Sequence, residues 1–479
     1  MNSLIFCSVV INLVFLYNVA ADDPWWGPND SGSIDTSIRP FNVSFDKATI
    51  DDLKYRLRNH RPFTPPLEGV GFEYGFNTET LKSWVDYWAN GYDFDEREAF
   101  FNQFPQYKTN IQGLDIHFLH VEPQVQPNTE VVTLLFLHGW PGTVRELYGA
   151  IPYLTQVDPS RNFAIRVVAP SIPGFGFSDA AVRPGLSSDE IATVFRNLMR
   201  RLGFQKFYVQ GGDWGSRIGS HMATIYPNEV LGYHTNMPLS QNPLTFAGYL
   251  VGAIAPDLVV EPALADRMYP ITQKLLQLNS EFGYLHLQAT KPDSLGVAMQ
   301  DSPAGMLAYI LQLISSGTRH SNVKEIDGGL DASFSRDSLL DILTLFWVSN
   351  SFTTSCRLYA ESVNLKILTS PAGGAPTPVP TWTIHAKDEI VYQSPRLLKH
   401  KYTNLLSSTV LQDGGHFLAL EKPVVFSNDV INAVGAFNDF QIGSAQESSE
   451  QGHLGQLKEG LKALNSGLLQ FAKKKLITL

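Results

Sequence analysis

The run "KFYVQGGDWGSRIG", Lys206–Gly219, constrains the fold more than any other stretch. An apolar segment leads straight into Gly211-Gly212-Asp213-Trp214-Gly215, and a helical pattern continues to about Tyr226. The form G-x-nucleophile-x-G at a strand-to-helix junction bends the backbone sharply. It presents the central side chain at the C-terminal edge of a sheet, beside a helix N-terminus. Glycines two residues before and after leave room for the bend. Serine is the usual central residue in hydrolases, and here it is replaced by Asp213. Ser216 does not fit the pattern, because Ile218 stands where the second glycine should be. A carboxylate at this place is either a nucleophile or a cap on the following helix.

An elbow of this kind needs a parallel sheet behind it. "EVVTLLFLHG" (Glu130–Gly139) is a continuous apolar run, as expected of a strand covered on both faces. "FAIRVVAPSIPGFGFSD" repeats the pattern and precedes a helical stretch over Ser188–Leu202. "VPTWTIHAKDEI" and "SSTVLQDGGHF" supply late strands. Such alternation implies right-handed crossovers. "GLDIHFLHV" (Gly113–Val121) alternates polar and apolar residues and reads as an exposed-edge strand. The predicted class is α/β: an α/β-hydrolase core with a mostly parallel sheet, a helical cap insertion and an N-terminal helical segment. In the N-terminal segment, Ile50, Leu53 and Leu57 form one stripe, and Leu81, Trp84, Tyr87 and Trp88 another. The segment is too small to bury both stripes alone, so it should pack on the rest of the chain. The expected division is residues 39–125 for the N-terminal segment, 126–237 and 379–442 for the two parts of the core, and 238–378 for the cap.

The ends of the chain point elsewhere. Leu4 to Ala21 is uncharged and mostly apolar, so residues 1–21 read as a signal peptide or a membrane anchor, with Val19 and Ala21 at a small-residue cleavage pattern. Sequons come next, at Asn29 and Asn42, which suits a lumenal or extracellular glycoprotein. The expectation is the secretory pathway: endoplasmic reticulum membrane or lumen, or secretion. Residues 443–479 form a polar extension ending in an amphipathic stripe of Leu454, Leu457, Leu461, Leu464 and Leu468, either docked on the domain or resting on a membrane surface. Of the two cysteines, Cys7 lies in the leader, so a processed chain keeps Cys356 and no internal disulfide. A formal net charge of −10 argues against nucleic acid as a partner.

The remaining chemistry is that of an elbow enzyme. An oxyanion hole would come from the backbone N–H groups of Trp214 and of Trp140 in "LHGWPG". His138 in that motif should shape the loop. His416 follows a strand and two glycines late in the chain, the place for a general base. His221, His234, His286, His320, His385 and His400 lack that context. The acid orienting His416 should come from "HAKDEIV", where Asp388 is preferred to Glu389. No metal-ligand spacing is present, and no cofactor is expected.

"LHGWPG", "PSIPGFGFSD", "GGDWGS", "GYLHLQATKPDSLGVAMQDSPAGMLAYI" and "GGHF" together resemble the microsomal epoxide hydrolase family, which includes the juvenile hormone epoxide hydrolases. The likeness covers roughly residues 39–437. It implies two cap tyrosines that hold an epoxide oxygen, matching Tyr284 in "GYLHLQ" and Tyr359 in "RLYAES". Without the resemblance both would read as core aromatics. The acid-bearing loop and the extension past Gly443 depart from the family pattern. The implied reaction is hydrolysis of a lipophilic epoxide, xenobiotic or terpenoid, through an ester on Asp213. The alternatives are a haloalkane dehalogenase-like hydrolase and an inactive carrier of lipophilic ligands.

Overall fold

The computed structural model describes residues 23–28, 34–125, 129–364 and 370–443. The leader, Asn29 and the C-terminal leucine stripe lie outside them. Nine strands form one sheet: β1 (Arg39–Phe41), β2 (Gln106–Ile111), β3 (Leu114–Val121), β4 (Glu130–Leu137), β5 (Phe163–Pro170), β6 (Phe207–Gly211), β7 (Val230–Thr235), β8 (Thr381–His385) and β9 (Leu405–Val410). Their spatial order is β1-β2-β3-β5-β4-β6-β7-β8-β9. The pairs from β5 to β9 are parallel, and β1, β2 and β3 join antiparallel at one side. This is the expected α/β-hydrolase core. β4 lies between β5 and β6, with Leu135 in register with both Val168 and Val209. Leu134, Leu135, Phe136 and Leu137 are all buried, which explains a run with no polar face.

β3 corrects one expectation. It is an interior strand, flanked by β2 and β5, with Ile116, Phe118 and Leu119 buried. The edge is taken instead by the three-residue β1, which pairs with β2. The alternation in β3 arises because its polar side chains are used internally. Buried His117 makes ring contacts of 2.9 Å to Ser171 Oγ and 2.8 Å to Gln106 Oε1.

Between β7 and β8 the described chain is helical. It leaves from and returns to adjacent strands, with Thr235 in register with Thr383. The N-terminal segment packs on this insertion. The helix Lys47–Arg58 buries Ile50, Leu53 and Leu57, and the helix Thr78–Asp86 buries Leu81, Trp84 and Val85. Trp88 Nε1 then donates to Thr344 Oγ1 at 3.1 Å. Tyr87 is half-buried and donates its hydroxyl to Asp337 Oδ1 at 2.7 Å.

The N-terminal segment, the core and the insertion meet at one carboxylate. Asp341, on the helix Arg336–Val348, is 0% exposed and accepts from Arg97 Nε (2.9 Å), Arg97 Nη2 (2.7 Å), Arg145 Nε (2.5 Å) and the Tyr92 hydroxyl (2.8 Å). Among the described residues, no helix is long and apolar enough to cross a membrane, and no group of three His, Cys, Asp or Glu could hold a metal ion. Cys356 is free and buried, and burial pushes its thiol pKa up.

Removing Asp341 would leave two guanidinium groups buried without their partner, a loss of about 3–5 kcal/mol for such sites. Asp341→Ala should therefore shift the urea unfolding midpoint sharply downward. A midpoint within error of wild type would show that the two arginines find other partners.

Candidate active site

β6 ends at Gly211, and the helix Asp213–Ile225 begins two residues later. Asp213 itself has a φ of +48°, a left-handed conformation rare for any residue with a Cβ, costing on the order of 1–2 kcal/mol. The flanking glycines make the turn fit. A Cβ on Gly211 would sit 2.2 Å from the Gly215 carbonyl oxygen, and one on Gly215 would sit 2.5 Å from that of Leu137. The carboxylate is thereby pressed against the loop after β4, where the Trp140 N–H donates to Asp213 Oδ1 at 2.7 Å. Among the described residues, only Trp140 donates a backbone N–H to this carboxylate. The Trp214 amide lies at the helix start, and its indole packs edge-on against Tyr359 with ring centres 4.8 Å apart.

His416 reaches the other oxygen. Its Nε2 lies 3.4 Å from Asp213 Oδ2, and its Nδ1 lies 2.6 Å from Glu389 Oε1. The loop is fixed by the His416 N–H, which donates to the Gly317 carbonyl at 2.9 Å. Glu389, not Asp388, is therefore the partner of the imidazole, which corrects the sequence preference. Only one of two consecutive side chains after β8 can point inward. The Asp388 N–H is bonded to the Gly414 carbonyl at 2.9 Å, which sets the turn that aims Glu389 at the imidazole. Burial works against a charge on His416, but the Glu389 and Asp213 carboxylates outweigh it and hold its pKa well above the usual imidazole value. His138 shapes its loop: Nδ1 lies 3.0 Å from the Gly139 carbonyl, and Nε2 accepts from the Ile172 N–H at 3.0 Å. Burial lowers its pKa to about 4, so it is neutral.

The cap supplies the roof. Tyr284, in the helix Gly283–Thr290, stacks on Trp140 at 5.6 Å and 13°. Tyr359, in the helix Phe352–Ser362, meets Trp140 edge-on at 5.7 Å and 88°. Their ring centres are 6.0 Å apart. Burial pushes both phenol pKa values up, and the Asp213 charge adds to the shift in each, so both side chains lie in its field and stay protonated. The motif "PSIPGFGFSD" ties this roof to the core. Gly176 N–H donates to Ser351 Oγ at 3.1 Å, and Thr354 Oγ1 donates to the Gly174 carbonyl at 2.6 Å. Trp140 Nε1 adds a 3.2 Å bond to Ser355 Oγ.

A cavity of about 30 Å³ lies beside His416, bounded by Trp140, Phe282, Tyr284, Leu313, His416 and Phe417. A vestibule of about 460 Å³, lined by Phe246, Leu278, Lys387, Asp388 and Tyr392 among others, shares Glu281, Phe282, Ser316 and Ile390 with it. Phe282 and Ile390 thus stand at the neck between the outer space and the inner cavity beside His416. A third cavity of about 260 Å³, beside the outer face of the helix Phe352–Ser362, contains none of these groups. Sequence reasoning missed Tyr309, whose ring lies 6.3 Å from Trp140 and whose hydroxyl is buried. Its place in "MLAYILQLI" marks it only as part of an apolar stripe.

Comparison with known proteins agrees with this geometry. Residues 38–147 match the family model "Epoxide hydrolase N terminus", and residues 132–423 match "alpha/beta hydrolase fold". The juvenile hormone epoxide hydrolase of Bombyx mori is 51% identical over 87% of this chain and 90% of that protein. The chain belongs to the epoxide hydrolase family. Epoxide hydrolase 1 of Sus scrofa is 39% identical over 86% of this chain and 92% of its own length. The crystal structure of the silkworm juvenile hormone enzyme superimposes with a TM-score of 0.87 at 50% identity, covering 88% of this chain and all (100%) of that one. The chain is thus an epoxide hydrolase with an α/β-hydrolase fold.

Two neighbouring acids give a clean comparison. Glu389→Gln removes the charge that acts most strongly to keep His416 protonated, so the imidazole pKa should fall and diol formation should drop by about three orders of magnitude or more. Asp388→Asn should leave both close to wild type. Imidazole NMR titration alongside turnover measures both, and the reverse ranking would return the acid role to Asp388.

Proposed function

We propose that this epoxide hydrolase converts lipophilic epoxides, with a juvenile hormone as the physiological substrate, to vicinal diols through an alkyl ester on Asp213. The carrying observation is that Asp213 has one oxygen held by a backbone N–H and the other facing His416, beneath two protonated phenols. Attack on a saturated carbon needs an ionised carboxylate, and His416 Nε2 faces Asp213 Oδ2 at 3.4 Å. Oδ2 attacks and the C–O bond of the ring breaks. The leaving alkoxide takes a proton from Tyr284 or Tyr359, each a far stronger acid than an alcohol. His416 then resupplies that proton through the solvent of the site.

Esterification removes the charge of Asp213, and with it one of the two carboxylates that raised the His416 pKa. The imidazole becomes a competent base for the second step at the moment it is required. Water loses a proton to Nε2 and attacks the ester carbonyl carbon. Negative charge collects on Oδ1, where the Trp140 N–H already points, a donor worth about 3 kcal/mol in such sites. Glu389 holds the resulting imidazolium. The neck residues Phe282 and Ile390, with Leu313 inside and Phe246 and Leu278 outside, suit an apolar substrate. Support for juvenile hormone comes from relatives so named at 43–51% identity, compared with 39–40% for epoxide hydrolases 1. Placement in the secretory pathway fits the apolar leader and Asn42, which is exposed within its N-V-S sequon.

Intact-mass measurement of His416→Gln mixed with juvenile hormone should show a persistent adduct of the substrate's mass, absent in Asp213→Ala. Unchanged mass, with wild type still forming diol, would exclude the covalent route. Chloride release from haloalkanes without diol formation would favour a dehalogenase.

The phenols have their own readout. Tyr284→Phe and Tyr359→Phe should each slow ester formation by about 10- to 100-fold, the range for losing one hydrogen bond to a charged group. Ester hydrolysis, measured separately by single-turnover mixing, should be nearly untouched. Equal slowing of both steps would reduce the tyrosines to packing residues.

A further inference from the structure

Glu146 is a third carboxyl close to His416, and neither ring opening nor the triad employs it. It lies in the short turn Val144–Leu147, which follows the oxyanion loop and packs against the helix Leu418–Glu421 just after His416. A Cβ on Gly142 would sit 2.2 Å from Glu146 Oε2 and 3.3 Å from the Gly139 carbonyl oxygen. The carboxyl therefore fills the hollow beneath the loop that carries Trp140, and Gly142 has no side chain where that carboxyl lies. Its neighbour Arg145 is turned away to Asp341. Among the described residues, no cation pairs with Glu146, and no donor reaches its side-chain oxygens.

Such a group is costly unless something satisfies it. Glu146 is half-buried, so its carboxyl is set among protein groups yet keeps some free surface. A half-buried carboxyl whose acceptors no protein donor fills is a seat for water. Burial pushes its pKa up to about 7. The charged groups that act on it are His416, Asp213 and Glu389, which are the three members of the triad.

We infer that Glu146 holds the attacking water of the hydrolytic step, anchoring it between His416 Nε2 and the carbonyl carbon of the Asp213 ester. This rests on the covalent route through Asp213. In that step a water lone pair forms the new C–O bond, one water proton passes to Nε2, and the carbonyl pair moves to Oδ1. The second water O–H donates to a Glu146 oxygen throughout. Collapse of the intermediate breaks the bond to the diol oxygen, which takes the proton from His416. The regenerated Asp213 carboxyl then returns its own proton to the imidazole, restoring the resting ion pair. Glu146 takes no part in ring opening, because no water proton is then being moved.

That asymmetry gives the test. Trp140 and Trp214 flank Asp213, so rapid mixing with epoxide under single-turnover conditions can follow ester formation and decay by fluorescence. Glu146→Met, which keeps volume but removes the acceptors, and Glu146→Asp, which withdraws the carboxyl by one methylene, should each slow ester decay about tenfold or more, the loss of one hydrogen bond. Ester formation should stay within about twofold, and kcat and KM should fall together as the ester accumulates. Glu146→Gln, of equal length and still an acceptor, should restore decay to within about threefold of wild type. Unchanged decay in both Met and Asp variants, or formation slowed in parallel with decay, overturns the role. If His416→Gln accumulates an adduct while the Glu146 variants behave as wild type, only this inference fails. If no adduct forms in His416→Gln, the covalent route fails with it.

Discussion

The 2.7 Å bond from the Trp140 N–H to Asp213 Oδ1 is the contact on which the rest of the site depends. It exists because two independent pieces of chain are forced together at one point. The elbow holds Asp213 at a φ of +48°, and glycines at 211 and 215 let β6, the helix and the end of β4 approach to distances that a Cβ would forbid. On the other side, Gly139 leaves the carboxylate its space: a Cβ there would fall 2.3 Å from Oδ1. Backbone strain at Asp213 is thus offset by a packed parallel sheet, and the donor that the proposed ester oxyanion would face is already in place.

Charge explains the surroundings. Two carboxylates contact one imidazole, and a third carboxyl stands nearby in the same buried region. Full ionisation of all three against a single cation would leave a buried net charge, which low-dielectric surroundings oppose. The structure resolves this by raising the pKa of His416 and that of Glu146, so that one group carries a proton more readily and the other loses it less readily. Alkylation of Asp213, as proposed, would remove one of these charges and so change the balance. On the proposed route, the step that stores the substrate as an ester also releases the base that would free it.

Much of this was legible from residue order. Continuous apolar runs placed β4, β5 and β6, because a strand covered on both faces has no polar side to display. The glycine spacing marked Asp213, and two glycines after a strand marked His416. What escaped shares a physical cause: it depends on which way a side chain turns at a loop or on who sits beside a strand. Asp388 and Glu389 differ by one residue, and the turn after β8, pinned through Gly414, decides which faces His416. β3 shows the alternation of an edge strand, yet the distant three-residue β1 takes the edge. Glu146 lies in a one-turn segment with no periodicity to read, and its meaning comes from Gly142 beneath it. The junction at Asp341 joins residues about 250 positions apart, a separation no local pattern encodes.

The division of labour between core and cap is set by these contacts. Asp213, the Trp140 amide and the histidine loop belong to the sheet's C-terminal edge, whereas both phenols belong to helices of the insertion. Catalysis needs the two sets in register, and Trp140 is where they meet. Its backbone N–H serves Asp213, its ring is stacked by Tyr284 and met edge-on by Tyr359, and its indole N–H bonds to Ser355 one turn before Tyr359. A shift of the cap would therefore disturb the ring that backs both phenols and strain the amide that holds Asp213. The Asp341 junction, remote from the carboxylate, thereby serves the chemistry as well as the fold. It fixes the helix that precedes the Tyr359 helix to Arg145, and Arg145 belongs to the same turn that carries Glu146.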